Sequence, residues 1–379
     1  MIKNTQNIAS LTPLRGIAAL WVVVYHYDEF LSFMGFGHLI DRDISLIIGK
    51  SYLFVDFFFL LSGFVICHVY GDSLTRPTKG STATYLWARF IRLYPLHVFA
   101  MFALLFQFLW LKSAYPELTD SWAVWYPSYD FFVYLLFGQS SGILSEYTWN
   151  LPSWSIAAEW WTYILAVGFL PFLHRGFSKY TVLTWVLASG VLSALIMFGG
   201  KGNLDYTINF GTLRCLCSFI IGVGIYQAYL SLHNTTSAFG KDWACFVSVV
   251  TTLLALTYGV NDVLIVLLFG AILITASLNV GRVKKALNVK PLMFLGDISY
   301  SIYMMQIFWL TAWNMWVDIV YKPSHVDILP TLSTKILWLV LTVAMLIVSS
   351  YLTYRYIELP AKRFLRRRFD RSGASVSTQ

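Results

Sequence analysis

LRGIAALWVVVYHYDEFLSFM, Leu14 to Met34, is an apolar stretch long enough to cross a bilayer, yet it carries Arg15 near one end and His26 in its interior. As an α-helix, the eleven steps from Arg15 to His26 turn through roughly 1100°, leaving the two side chains within about 20° of each other on one face. The rise between them is roughly 16 Å, about half a hydrocarbon core. A cation at the membrane edge is thus aligned with a titratable imidazole deep inside. Arg15 alone reads as an interfacial anchor. His26 does not, because ionisable groups inside membranes are costly and mark a pathway or a site.

Composition extends this reading to the whole chain. Of 379 residues, 58% are hydrophobic, 18% aromatic and 12% charged, a balance foreign to soluble domains, and an all-α polytopic membrane protein is expected. The net charge of +8 does not imply a nucleic-acid partner, because the basic residues fall in short clusters between apolar runs, where they orient the chain. Cys67, Cys215, Cys217 and Cys245 lie within or beside apolar runs, with neither a disulfide framework nor a zinc spacing, so no metal is expected. The first run is followed by no small-residue cleavage site and reads as a retained helix. One membrane domain, 1–368, is expected, with a short polar and disordered tail, 369–379, and no attached soluble domain.

Apolar runs of about 17–25 residues place ten spans, near 14–34, 52–70, 95–112, 154–173, 181–199, 208–230, 243–259, 263–279, 294–317 and 331–356. With both termini cytoplasmic, twenty of the 27 Lys and Arg residues fall on the inner side, the bias that sets orientation. The run Phe131 to Gly138 is too short to span and is expected to be re-entrant or part of a lid. Counting it as a span would move Lys284, Lys285, Arg366, Arg367 and Arg368 outside. No motif-level internal repeat is visible, which weighs against a secondary transporter.

Used as a ruler, this topology puts His26, Glu159 and Gln306 at similar depth. Asp56 lies near the outer end of the second span, Ser62 near its middle and Arg214 in the outer third of the sixth. Ser62 before Gly63 points to close helix packing more than to a nucleophile. Arg89 and Arg92, three residues apart on an expected cytoplasmic helix from Tyr85 to Leu93, are either anchors or a phosphate clamp. Tyr300 and Tyr303 share one side of the ninth span, as interhelical hydrogen bonding requires. Glu358 is expected to pair with Arg355 or Lys362. The aromatic group Trp122, Trp125, Tyr126, Tyr129, Tyr147 and Trp149 reads as a sugar-stacking platform or as an interfacial belt.

Six stretches in this order resemble one family: LRGIAAL (14–20) followed by His26, VDFFFLLSGFVI (55–66), RFIRLYP (89–95), WSIAAE (154–159) with Tyr163, LGDISYSIY (295–303) and ELP (358–360). Each alone is weak. Together they cover nearly the whole chain and are similar to the membrane-bound acyltransferase-3 family, which includes O-acetyltransferases of bacterial surface polysaccharides. The resemblance implies transfer of an acyl group, usually acetyl, from cytoplasmic acyl-CoA to a sugar hydroxyl of a lipid-linked or growing surface glycan such as an O-antigen, capsule or exopolysaccharide. It implies a multi-pass protein of the bacterial cytoplasmic (inner) membrane, surrounded by membrane lipids. Acyl-CoA is then a donor substrate, and no cofactor is bound.

In that reading His26 is the general base on the acceptor hydroxyl or first receives the acyl group, and Glu159 orients or recharges it. Arg15, Arg89 and Arg92 hold the donor phosphates. Asp56, Ser62, Arg214, Ser299, Tyr300, Tyr303 and Gln306 support the site or line the substrate path. Relatives often carry histidine where this chain has Gln306. Two rival expectations remain open: a transporter moving an acyl donor or lipid-linked glycan without chemistry, and an acyltransferase acting on a lipid or other non-sugar acceptor.

Overall fold

A computed structural model describes residues 8–174, 179–233, 238–321, 323 and 330–371. Its helices are α1 (Leu11–Phe33), α2 (Phe54–Thr75), α3 (Ser81–Ala114), α4 (Thr119–Ala123), α5 (Ser128–Leu135), α6 (Trp154–Leu173), α7 (Lys179–Phe198), α8 (Gly211–Leu232), α9 (Asp242–Thr257), α10 (Asp262–Leu278), α11 (Arg282–Leu287), α12 (Lys290–Asp297), α13 (Ser299–Trp316), α14 (Leu332–Thr353) and α15 (Leu359–Arg371). All ten expected spans coincide with helix. Among the described residues, six helical stretches are long and apolar enough to cross a membrane, and α9 and α10 are shorter apolar helices. The protein is an all-α polytopic membrane protein.

Small residues decide which helices sit at the centre. A Cβ at Gly63 of α2 would lie 2.0 Å from the carbonyl oxygen of Phe219, and one at Gly222 of α8 would lie 2.0 Å from that of Leu60. The two backbones therefore touch, the close approach that the Ser62-Gly63 pair predicts. Gly16 of α1 and Gly296 of α12 make a second such crossing, a Cβ at Gly296 falling 2.0 Å from the carbonyl oxygen of Thr12. Glycines of three of the family-like stretches are thus contact points between helices. The most apolar windows of α2 and α8 are 67% buried against 22% for α7, so α2 and α8 form the centre while α7 presents most of its surface to lipid. α1, α6 and α10 pack around the centre, α13 packs on α1, and α3 lies against α6 and α13.

Three local expectations change. The cytoplasmic helix and third span are one continuous 34-residue helix, α3, which passes through Pro95. Proline removes a helical hydrogen bond, and the Tyr300 hydroxyl donates to the carbonyl of Leu93 at 2.5 Å, so a neighbouring helix supplies a donor beside the gap. At roughly 51 Å, α3 outruns the hydrocarbon core and carries Arg89 and Arg92 on its extension. The ninth span is divided into α12 and α13 at Ile298. Helix α15 continues the chain through Arg371, past the expected start of the tail; residues 372–379 lie outside the described residues.

Phe131 to Gly138 does not span. Its helix, α5, has eight residues and is pinned to α3 by His97, whose Nε2 donates to the Tyr134 carbonyl at 2.8 Å. Phe137, Trp149 and Phe210 adopt left-handed φ values of 59°, 47° and 61°, each costing on the order of 1 kcal/mol or more. Packing over-determines two of them: Phe137 is wedged among Tyr94, His97 and Trp160, and Trp149 against Tyr126 and Phe131.

Candidate active site

His26 is buried on α1 and lines a cavity of about 200 Å³ with Tyr25, Glu29, Trp154, Asp205 and Tyr147 among its walls. Its Nδ1 lies 3.0 Å from the Val22 carbonyl and 3.1 Å from Gln306 Oε1. The Gln306 amide is oriented by its own Nε2, which donates to the Tyr303 carbonyl at 2.9 Å, so its oxygen faces the imidazole. Both partners of Nδ1 are acceptors, and Nδ1 must therefore carry the proton. Nε2 is left as the basic nitrogen, with no hydrogen bond among the described residues. The depth match between His26 and Gln306 is thus a contact.

Glu159 goes elsewhere. Its Oε1 accepts from Ser62 and from the Tyr163 hydroxyl, the latter at 2.5 Å. These groups line a second cavity, of about 110 Å³, together with Arg15, Arg89 and Arg92. Ser299, Tyr300 and Tyr303 line it as well. The expected pairing of Glu159 with His26 is replaced: the Val22 carbonyl and Gln306 orient the imidazole, and Glu159 belongs to the basic cavity. Equal depth did not mean contact, because depth says nothing about which way around the bundle a side chain points.

The two cavities occupy successive levels of the same helices. On α1, Arg15 faces one and His26 the other; on α6, Glu159 and Trp154 divide in the same way. Phe58, edge-on to Tyr303 at 5.8 Å, and Ser155, whose hydroxyl is 2.7 Å from that of Tyr303, line the basic cavity and not that of His26. In the basic cavity, Arg15 Nε and Arg89 Nε are buried without a hydrogen-bond acceptor among the described residues. The Arg89 guanidinium rests over the rings of Tyr70 and Tyr163. Buried guanidinium N–H groups of this kind are suited to an anionic ligand. Arg92 is already engaged: its Nη1 donates to Glu358 at 2.9 Å, beside Lys362 at 2.5 Å. Glu358 therefore pairs with Lys362, as expected, and with Arg92 in place of Arg355.

Asp56 and Arg214, expected on the substrate path, meet each other. Arg214 Nη2 donates to Asp56 at 2.6 Å with both side chains fully buried, and Ser218 adds a further donor at 2.9 Å. Neither residue lines the two cavities. Of the six loop aromatics, Trp122, Tyr126 and Trp149 are buried in a local core, Trp125 and Tyr129 are exposed, and Tyr147 reaches the His26 cavity.

Sequence reasoning passed over Asp28 and Glu29. Asp28 is fully buried, accepting from the Leu39 backbone and from Arg42, both at 2.6 Å, and Arg42 bridges to Glu29 at 2.6 Å. This cluster ties the loop after α1 to the helix end and places Glu29 in the wall of the His26 cavity. The signal was available: Glu29 follows His26 by three residues, hence on its face.

Comparison with known proteins agrees with this architecture. A 91-residue stretch, 24% of this chain and 40% of the relative, is 45% identical to "Protein 2 in picA locus" of Rhizobium radiobacter. The match spans well under half of that relative. No solved structure matches. A sequence model described as an acyltransferase domain, Acyl_transf_3, matches residues 8–355, nearly the entire described bundle and both cavities, and the chain belongs to the membrane acyltransferase-3 family.

Proposed function

We propose that this acyltransferase moves an acetyl group from cytoplasmic acetyl-CoA to a sugar hydroxyl of a bacterial surface polysaccharide, within the inner membrane. The observation that carries the reading is the His26 imidazole, held by two acceptors on Nδ1 so that a basic Nε2 is presented to a cavity. A base in this state takes the proton from an acceptor hydroxyl as that oxygen attacks the thioester carbonyl. The new C–O bond forms, the C–S bond breaks and the CoA thiolate leaves. Arg15, further along α1 from His26, and Arg89 on α3 offer charged N–H groups to the donor's phosphates. Phe58, Ser155 and Tyr303, walls of the basic cavity, line the route along which the acyl group approaches the His26 cavity.

The test is direct. Purified protein in proteoliposomes is given labelled acetyl-CoA and an extract of bacterial lipid-linked glycans, and label is expected in alkali-labile ester on the glycan. Label recovered only in lipid acyl ester would move the acceptor to a non-sugar class. Unmodified glycan carried across the bilayer would support transport instead. In the same assay Arg89→Ala is expected to raise KM for acetyl-CoA by about ten- to a hundredfold while kcat changes much less, the loss expected for one charge-assisted phosphate contact.

A further inference from the structure

A third cavity, of about 1020 Å³, lies against α6 and α8, between the loop at 140–147 and the turn at 199–210. Its two ends differ in chemistry. Ile164, Leu165, Leu213 and Leu216 form an apolar wall, with Leu165 and Leu213 exposed at the bundle surface, so the groove opens sideways towards lipid. Leu165 is eleven residues along α6 from Trp154, roughly 16 Å into the bilayer. The other end is polar and carries Lys201. Its ammonium donates to the Asp205 carbonyl at 2.6 Å and to the Tyr147 hydroxyl at 3.4 Å; both acceptors are uncharged, so the positive charge is not neutralised by them.

The groove connects to the site. Tyr147 and Thr207 line both this cavity and that of His26, and Thr207 holds the Tyr147 hydroxyl at 2.9 Å. From lipid inward the order is apolar wall, ammonium, shared tyrosine and threonine, imidazole. An amphipathic molecule with the same order is a glycolipid whose sugar is joined to an apolar chain through phosphate. We propose that this groove binds the acceptor as such a lipid-linked phosphosaccharide: the chain lies on α6 and α8, the phosphate meets Lys201, and the sugar passes Tyr147 to reach His26. A finished polysaccharide arriving from water would have no use for the apolar wall. An ordinary phospholipid lacks the saccharide that would extend past Tyr147. The proposal rests on the glycan-acetylation reading and specifies the form in which the acceptor is taken.

Photolabelling tests it without requiring turnover. The whole protein, in nanodiscs of phosphatidylcholine, is irradiated with a benzophenone-bearing farnesyl phosphate. Label is expected in the peptides containing Trp161 to Leu165 and Leu213 to Leu216. Lys201→Gln, an exposed substitution, and replacement of the phosphate by an alcohol should each lower labelling by about fivefold, the scale of one surface charge contact. Leu213→Trp, which fills the wall from an exposed position, should lower it in parallel. Labelling indifferent to Lys201 and to the phosphate, or displaced equally well by phosphatidylglycerol, would overturn the proposal. In the acetyl-transfer assay the lipid-linked glycan should be used in preference to the same glycan freed of its lipid. Equal use of both would overturn the groove while leaving glycan acetylation intact; photolabelling as predicted with no acetylation of either would leave the groove and remove that reading.

Discussion

His26→Ala is expected to lower acyl transfer by about 10²–10⁴-fold, the range over which a positioned general base contributes. The loss should fall on kcat, with KM for acetyl-CoA little changed, because Arg15 and Arg89 line a separate cavity. Single-turnover measurement with preloaded donor isolates the chemical step. The supporting Nδ1 contact makes the prediction more specific: Gln306→Leu removes one of two acceptors that fix the tautomer, so its defect should be smaller than that of His26→Ala and should also appear in kcat. Transfer by His26→Ala within a fewfold of wild type would end the assignment of this residue as base.

What the sequence made legible follows from what periodicity and cost can encode. Apolar run length located the spans, since each must cross the same thickness of hydrocarbon. The price of an intramembrane imidazole singled out His26, and a rise of 1.5 Å per residue brought Gln306 to its level, where the two are in contact. The same ruler misplaced Glu159, because rise gives height and leaves azimuth free: the carboxylate faces Ser62 and Tyr163. Pairings between distant segments, such as Arg92 with Glu358, have no local signature. The break expected between the helix ending at Leu93 and the span starting at 95 is bridged within the continuous α3. Asp28 and Glu29 escaped notice because the apolar average of their run concealed them, although they close the loop beside the His26 cavity.

Asp56→Ala is expected to be the most destabilising single change, costing about 3–5 kcal/mol. Its partner Arg214 is fully buried, and the substitution leaves that guanidinium with the carbonyls of Tyr206 and Tyr52 as its remaining acceptors and no opposite charge. The damage would fall on the central α2–α8 pair, about two turns from its backbone contact at Gly63 and Gly222, so it should spread to the helices packed on that centre. Thermal unfolding of the detergent-solubilised protein, followed by exposure of buried cysteines such as Cys67 and Cys215, measures the loss. The pair should nevertheless be replaceable as a unit, since exchanging a buried ion pair for well-packed apolar groups is often neutral or stabilising. Asp56→Leu with Arg214→Met should therefore recover much of the stability lost by Asp56→Ala. Activity per folded molecule in that double variant separates two roles for the same residues. Near-normal transfer makes the pair a latch that holds α2 to α8 behind the Tyr52 and Trp154 walls of the His26 cavity. A folded but inactive double variant returns Asp56 and Arg214 to the substrate path that their intramembrane charges suggested from the sequence.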